Sequence, residues 1–329
     1  MHHRKLGRTG LSVSQLCLGT MTFGLQSDEQ TSRAVLDKAA AAGVNFLDTA
    51  DVYPLAGGVE HAGRTEEIVG RWLKGKRHEY IVATKAVGKV GRAPWDQGAS
   101  RKHILDAIES SLRRLQTDYV DLYQLHSDDR ETPLDETVEA LNDVVRSGKA
   151  RYIGVSNFLA YRLARALGKQ EARGFTRFVS VQPRYSLLFR EIERELLPLT
   201  QEEGLGVIPY NPLAGGLLTG KHSFAAPPAP NTRFSGAAAE RYQDRYWHER
   251  EFASVDAIKK VVKEADQNIT TVAVQWVLAN PAITSAIIGA SKPEQLTDTL
   301  IATERPIDPQ LKQRLDELTA EYRRGDAAR

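Results

Sequence analysis

Short apolar runs recur along the chain, each followed by a longer segment with apolar residues at helical spacing. The runs occupy residues 15–23, 45–50, 80–86, 119–126, 150–157, 178–185, 204–211 and 282–289, and predict eight strands. The helical segments between them lie at 28–42, 64–74, 100–115, 134–147, 160–171 and 192–203. In the third of these, Ile104, Leu105, Ile108, Leu112 and Leu115 form one stripe, with the arginines and Glu109 largely opposite, so the stripe should face strands. Ser100 is placed to cap that helix, and Pro133 with Leu134 opens the next. Residues 6–14 carry Gly7 and Gly10 between short extended pieces and predict a small hairpin over one end of the fold. The connection from 211 to 282 is unusually long, with Pro227, Pro228 and Pro230 and a polar-aromatic stretch at 241–250, and reads as a loop insertion. Helices are expected at 252–265 and 271–280 before the eighth strand and at 309–322 after it, with the last residues fraying.

Eight strands alternating with helices close best as a parallel (β/α)8 barrel, here with an N-terminal hairpin and a long insertion after strand seven. An open doubly wound sheet would carry a glycine fingerprint after its first strand. Thr20-Met21-Thr22-Phe23-Gly24 follows that strand instead, and Gly204-Leu205-Gly206 runs into a strand, not a helix. Barrels of this length form one unit, so 1–329 is expected to be a single domain.

Composition narrows the function by exclusion. The 44 Lys and Arg against 42 Asp and Glu leave a net charge of +2, which gives no electrostatic basis for a nucleic-acid partner. At 41% hydrophobic and 26% charged the chain has the make-up of a soluble globular protein, and no stretch reads as a membrane span. Met1-His2-His3-Arg4-Lys5 leads to Gly7 and Gly10 and lacks the apolar core of a secretory leader. The lone Cys17 sits in an apolar strand and cannot form an intramolecular disulfide, and a cytoplasmic location is expected. His2, His3, His61, His78, His103, His222 and His248 show no compact ligand spacing, so no metal is expected.

A barrel gathers the carboxyl ends of its strands on one rim. Asp48 follows strand two, Lys85 strand three, His126 strand four, Ser156 and Asn157 strand five, Gln182 strand six and Tyr210 strand seven. Tyr53 lies close enough beyond Asp48 for a tight loop to bring its phenol back over the rim. A tyrosine of ordinary pKa about 10 can donate a proton, and a nearby ammonium stabilises the phenolate that develops. Lys85 can supply that ammonium, Asp48 can hold it charged, and His126 can fix a substrate oxygen. Spacing alone leaves plainer roles open: Asp48 or His126 as a cap, Tyr53 as loop packing, Lys85 in a rim ion pair. No serine elbow is present, which weakens a hydrolase reading.

The chain strongly resembles the aldo-keto reductase superfamily, in particular its bacterial members and the related potassium-channel beta-subunit branch. The resemblance rests on Arg4-Lys5-Leu6-Gly7-Arg8-Thr9-Gly10, Phe46-Leu47-Asp48-Thr49-Ala50-Asp51-Val52-Tyr53, Ala83-Thr84-Lys85 and Asp121-Leu122-Tyr123-Gln124-Leu125-His126. It continues through Gly154-Val155-Ser156-Asn157-Phe158 and the segment from Tyr210 to Lys221. It implies NADPH-dependent reduction of an aldehyde or ketone to an alcohol, with Asp48, Tyr53, Lys85 and His126 as the catalytic set and Tyr53 as proton donor. It further implies cofactor contacts from Thr20, Ser156, Asn157 and Gln182, a nicotinamide stacked on Tyr210, and a pyrophosphate route along Leu213, Gly215, Gly216, Leu218 and Lys221. Gly289, Ser291, Lys292 and Gln295 would meet the adenosine end, with Lys292 against a 2′-phosphate.

NADP(H) is therefore the expected cofactor. Gly289 and Gln295 stand where some relatives carry basic residues, which leaves NAD(H) open, and Thr299 departs from the family's residue near adenine. Met21, Phe23, Trp95 and Phe189, with Tyr242, Tyr246 and Trp247 of the insertion, are candidates for the walls of a site for a small carbonyl compound. A homo-oligomer is left open. The alternative reading is an NADP(H)-binding redox-sensing regulatory protein, which retention of all four catalytic candidates disfavours.

Overall fold

The computed structural model describes residues 1–325. The expected fraying of the chain end falls on 326–329, outside the described residues. β1 (His3–Lys5) and β2 (Ser12–Ser14) form an antiparallel hairpin. The second strand falls in the stretch where the hairpin is expected and the first just before it, and 6–11 make the turn, with Leu6 N–H donating to Leu11 C=O at 2.9 Å. Leu6 and Val13 are fully buried beside Cys17, Phe46, Ile81 and Leu122, which plugs the amino-terminal end of the barrel.

The eight strands are β3 (Leu16–Gly19), β4 (Phe46–Asp48), β5 (Ile81–Ala86), β6 (Val120–Leu125), β7 (Ala150–Ser156), β8 (Phe178–Gln182), β9 (Gly206–Val207) and β10 (Ala286–Gly289). All neighbours are parallel, in the order β10-β3-β4-β5-β6-β7-β8-β9. Closure comes from Thr284 N–H to Val207 C=O and Ile287 N–H to Pro209 C=O, both 2.8 Å. This is the expected (β/α)8 barrel. The seventh strand is shorter than its apolar run because Pro209 has no N–H to give a ladder. The first ends at Gly19 because Thr20 turns inward, its N–H donating to Asp48 C=O at 3.0 Å.

The helices follow the apolar periodicity: α1 (Glu29–Ala41), α2 (Arg64–Leu73), α3 (Arg101–Leu115), α4 (Leu134–Arg146), α5 (Ala160–Ala172) and α6 (Leu196–Glu203). Ser100 Oγ accepts from His103 N–H at 3.3 Å, and Ile104, Ile108, Leu112 and Leu115 are buried as their stripe predicts. The segment expected as one helix from 192 splits into a 3₁₀ turn, Glu191–Glu193, and α6, where Pro198 falls in the first turn and its missing N–H costs nothing. The insertion contains α7 (Ala239–Tyr246), a helix that the polar-aromatic stretch concealed. Then come α8 (Glu249–Glu264) and α9 (Ile269–Leu278), and after β10 the single turn α10 (Thr297–Leu300) and α11 (Pro309–Leu318). The insertion is anchored by rings: Phe234 is fully buried and packs on Tyr242, Trp247 and His222, and Trp247 packs in turn on Phe252. Among the described residues no helix is long and apolar enough to cross a membrane.

Gly7 has φ +57°, and a Cβ there would lie 2.5 Å from Gly204 O and 2.8 Å from Gly206 N, both backbone atoms. Gly7→Ala is therefore expected to cost more than about 1 kcal/mol of stability, read as a lowered urea midpoint with unchanged slope. A wild-type midpoint would show that the hairpin does not seat this tightly against β8 and β9.

Candidate active site

Asp48 ends β4 and Lys85 lies in β5, side by side because the two strands pair in register with Asp48 opposite Ala83. Lys85 is completely buried, and its Nζ donates to Asp48 Oδ1 at 2.5 Å and to Thr49 C=O at 2.9 Å. The second carboxylate oxygen of Asp48 accepts from Gln182 Nε2 at 2.8 Å and Gln124 Nε2 at 3.2 Å, so side chains from β6 and β8 reach across the barrel to hold it. Burial acts to lower the proton affinity of Lys85, but the charges of Asp48 and Tyr53 and the hydrogen bond to Asp48 outweigh it and hold the ammonium above its ordinary value.

After β4 the chain stays tied to β5, Thr49 N–H donating to Ala83 C=O at 2.9 Å and Asp51 N–H to Lys85 C=O at 3.1 Å. It then turns, with Tyr53 N–H donating to Ala50 C=O at 3.1 Å. This tight return places the Tyr53 ring 5.0 Å from Lys85 Nζ, measured to the ring centroid. Burial raises the Tyr53 phenol above its ordinary value, with Lys85 opposing. His126, just past β6, meets the Tyr53 ring edge-on at 5.6 Å between centroids. Desolvation, then the charges of Lys85 and Arg241, push its pKa down to about 3, so the imidazole is neutral. The four candidates thus converge as their spacing suggests: a charged lysine on a carboxylate, beneath a protonated phenol facing a neutral imidazole.

Beside them a cavity of about 1060 Å³ opens, lined by Asp48, Tyr53 and His126 and extending past Ser156, Asn157, Gln182 and Tyr210 to Gly289, Ser291 and Gln295. Its volume slightly exceeds the roughly 300–1,000 Å³ of pockets for drug-sized ligands. Asn157 is held left-handed, with its Nδ2 donating to His126 C=O at 2.8 Å and its Oδ1 accepting from Tyr210 OH at 2.8 Å. Ser156 Oγ donates to Gln182 C=O at 2.8 Å. Leu213, Gly215, Gly216 and Lys221 also line the cavity.

Several expected wall residues stand elsewhere. Thr20 is buried with its hydroxyl on Asp48 C=O at 2.9 Å, so it braces that strand end. Leu218 is fully buried in the core, and Lys292 is exposed on the surface outside the cavity wall. Lys85 itself is completely buried and does not line the cavity. A Cβ on Gly215 would meet the Tyr242 ring at 2.6 Å, so that glycine makes room for the insertion, whereas Gly216, at φ +107°, faces open space. The helix expected from Pro293 begins as a 3₁₀ turn, Pro293–Leu296, and runs on into α10, with Ser291 N–H taken by Gln295 Oε1 at 2.8 Å. Of the apolar candidates, Met21 and Tyr242 line the cavity. Phe23, Phe189, Tyr246 and Trp247 pack away from it, and Trp95 is 56% exposed at the surface. Cys17 is buried in β3, where desolvation raises its thiol well above the ordinary value.

Two features escaped the sequence pattern. Arg233, in the proline-rich insertion with no periodicity to mark it, lines the cavity and donates to Asn211 Oδ1 at 3.0 Å and Tyr242 OH at 3.3 Å. Asn211 Nδ2 beside it is buried with no partner among the described residues, a donor awaiting a ligand. Behind the site, Glu66 accepts from Thr84 Oγ1 at 2.5 Å and Arg114 Nε at 2.7 Å. Burial and the Glu66 charge push the Asp51 carboxyl well above the usual carboxylate range. Asp48 is thus the carboxylate that balances Lys85.

Residues 15–320 match the model of the aldo/keto reductase family. The chain belongs to that family. It is 42% identical over 325 residues to a Bacillus subtilis protein named uncharacterized oxidoreductase YrpG, covering 97% of this chain and 96% of that one. It is 37% identical to Protein tas of Escherichia coli, covering 90% of this chain and 91% of that protein. It is 36% identical to a probable voltage-gated potassium channel subunit beta of Oryza sativa, covering 92% of each. The match to the aldo/keto reductase family takes in all eight barrel strands and the long insertion and begins just after the hairpin.

Between about pH 6.5 and 3 the unfolded chain binds a proton on His126 that the folded one does not. Stability should therefore fall as pH drops through that window, and fall less in His126→Gln, as read from urea unfolding at each pH. An imidazole resonance of His126 that titrates near 6.5 would contradict the neutral assignment.

Proposed function

We propose that this aldo/keto reductase reduces an aldehyde or ketone to the alcohol at the expense of NADPH, with Tyr53 as the proton donor, as one catalytic unit spanning the chain. The family supports carbonyl oxidoreduction. The role given to Tyr53 rests on a single observation, the buried Lys85–Asp48 pair beneath the Tyr53 ring with neutral His126 opposite.

When bound, the dinucleotide supplies the hydride for the carbonyl carbon. Tyr53 supplies the proton for the oxygen, and Lys85 stabilises the charge left on the phenolate. Asp48 keeps Lys85 charged and fixed, supported by Gln124 and Gln182. His126, neutral, orients the carbonyl through a ring N–H without competing as an acid. For the cofactor, Tyr210 offers the stacking face and Ser156 and Asn157 frame the carboxamide. Gln182 has committed its nitrogen to Asp48, which leaves its amide oxygen as the acceptor. The unpartnered Asn211 Nδ2 and the open face of Gly216 leave a donor and room for a bound dinucleotide. Lys221 and Arg233 inside the cavity, with Lys292 on the surface nearby in sequence to Ser291, supply positive charge for phosphates, and this favours NADP(H) over NAD(H).

The name of the rice relative motivates a second reading, an NADP(H)-binding regulatory protein. It would show nucleotide binding without turnover. We expect Tyr53→Phe to lower kcat at least about 100-fold while nucleotide binding, followed by fluorescence quenching, is retained. Undiminished turnover would end the proton-donor assignment, and a wild-type protein that binds NADPH but reduces no carbonyl in a broad panel would favour the second reading.

For the 2′-phosphate, Arg233→Ala should weaken NADPH by about tenfold relative to NADH, on the order of 1.4 kcal/mol, and Lys292→Ala by less. Equal losses for both nucleotides would remove Arg233 from that role.

A further inference from the structure

Arg241 and Arg245 stand one turn apart on α7, and both line the cavity that holds Asp48, Tyr53 and His126. Like charges at this spacing oppose a helix by about 0.2–0.5 kcal/mol per pair, so the arrangement calls for a compensating partner. Among the described residues neither guanidinium has a hydrogen bond or ion pair. The neighbouring arginines differ: Arg233 is tied to Asn211 and Tyr242, and Arg250 to Glu251. The carboxylates on the wall offer no match, because Asp48 is balanced by Lys85 and Asp298 accepts from Asn268 at 3.3 Å.

The position of the pair separates it from the phosphate end of the cavity. Arg233 and residues 289–295 sit at the mouth of β10, where a Cβ on Gly289 would lie 3.5 Å from the Arg233 guanidinium. The charge of Arg241 acts on His126, and the charges of both arginines act on the Tyr210 phenol, which puts them on the reacting side. The helix is held in place independently of them, by the buried Tyr242 and Tyr246.

We propose that Arg241 and Arg245 bind an anionic group of the substrate, so that the preferred substrate is an aldehyde or ketone that also carries a carboxylate or a phosphoryl group. A guanidinium pairs with either oxyanion through charge-assisted, often bidentate hydrogen bonds. The anion anchors the molecule on α7 and leaves its carbonyl to reach Tyr53 and His126. This rests on the carbonyl-reductase reading above, and the test is arranged so that the two can fail separately.

The experiment compares 4-carboxybenzaldehyde with its methyl ester, and glyceraldehyde 3-phosphate with glyceraldehyde, in the wild type and in the R241Q/R245Q double variant. The wild type should prefer at least one anionic member of the two pairs by at least about tenfold in kcat/KM, chiefly through KM, and the double variant should lose most of that preference. The pair that shows the preference identifies carboxylate or phosphoryl as the anion. Equal wild-type rates for charged and neutral members in both pairs would overturn the proposal. So would a double variant that weakens NADPH binding, measured by fluorescence quenching without substrate, while the anion preference stays. If the wild type turns over none of the four compounds, the reductase reading fails on these probes. Calorimetric titration of 4-carboxybenzaldehyde and of glyceraldehyde 3-phosphate into NADPH-loaded protein then still decides the matter: binding lost in R241Q/R245Q supports the arginine site, and binding unchanged or absent in the wild type ends it.

Discussion

A lysine with no exposed surface must be paired, because an isolated ammonium in the protein interior would lose its proton or unfold its surroundings. Lys85 meets that condition through Asp48, and Asp48 through two glutamine amides that arrive from strands on the far side of the barrel. No local segment could assemble this set. It requires β4 and β5 in register and β6 and β8 curled far enough round for Gln124 and Gln182 to reach one carboxylate oxygen, so closing the barrel and stabilising the ion pair are one event. The short Leu6–Leu11 turn contributes from the opposite end, filling the barrel floor with Leu6 so that the interior stays dry.

The protonation states follow from this pair. Lys85 remains charged because the charges of Asp48 and Tyr53 and the hydrogen bond to Asp48 outweigh the cost of burial. The same positive charge acts with desolvation to keep His126 neutral, and it partly offsets the desolvation that raises Tyr53. Asp51, only three residues from Asp48, is held well above the usual carboxylate range by burial and by the Glu66 charge. The ion pair of the buried lysine is made with Asp48.

The barrel could be read from the sequence because its signals are local and repeated. Period-3.6 stripes such as Ile104–Leu115 and caps such as Ser100 need no distant partner to be recognised, and strand ends locate rim residues once the fold is assumed. Asp48, Tyr53, Lys85 and His126 were legible for that reason. Gln182 was placed correctly on the rim, but its commitment to Asp48 depends on a contact across the barrel that no spacing encodes. Thr20 and Leu218 turn inward, and whether a rim residue faces the cavity or the core is fixed by one peptide's rotation. Arg233 and α7 were least visible, since the insertion's order comes from rings that meet only in the fold, Phe234 with Tyr242 and Trp247.

That division has a consequence for how the chemistry and its selectivity are distributed. Asp48 and Lys85 sit on paired strands, where ladder hydrogen bonds restrain the backbone, and Tyr53 is held by the tight return that follows β4. Arg233, Arg241 and Arg245 sit on an insertion ordered by its own packing, with Phe234 against Tyr242 and the Tyr242 ring lodged over Gly215. Among the described residues no hydrogen bond or ion pair ties Arg241 or Arg245 to the rim, so a change of charge on α7 leaves the Lys85–Asp48 pair in place. A change at Gly215 is different. Any side chain there displaces Tyr242, which bears the hydrogen bond from Arg233, and so would disturb the phosphate side and the α7 side of the cavity together.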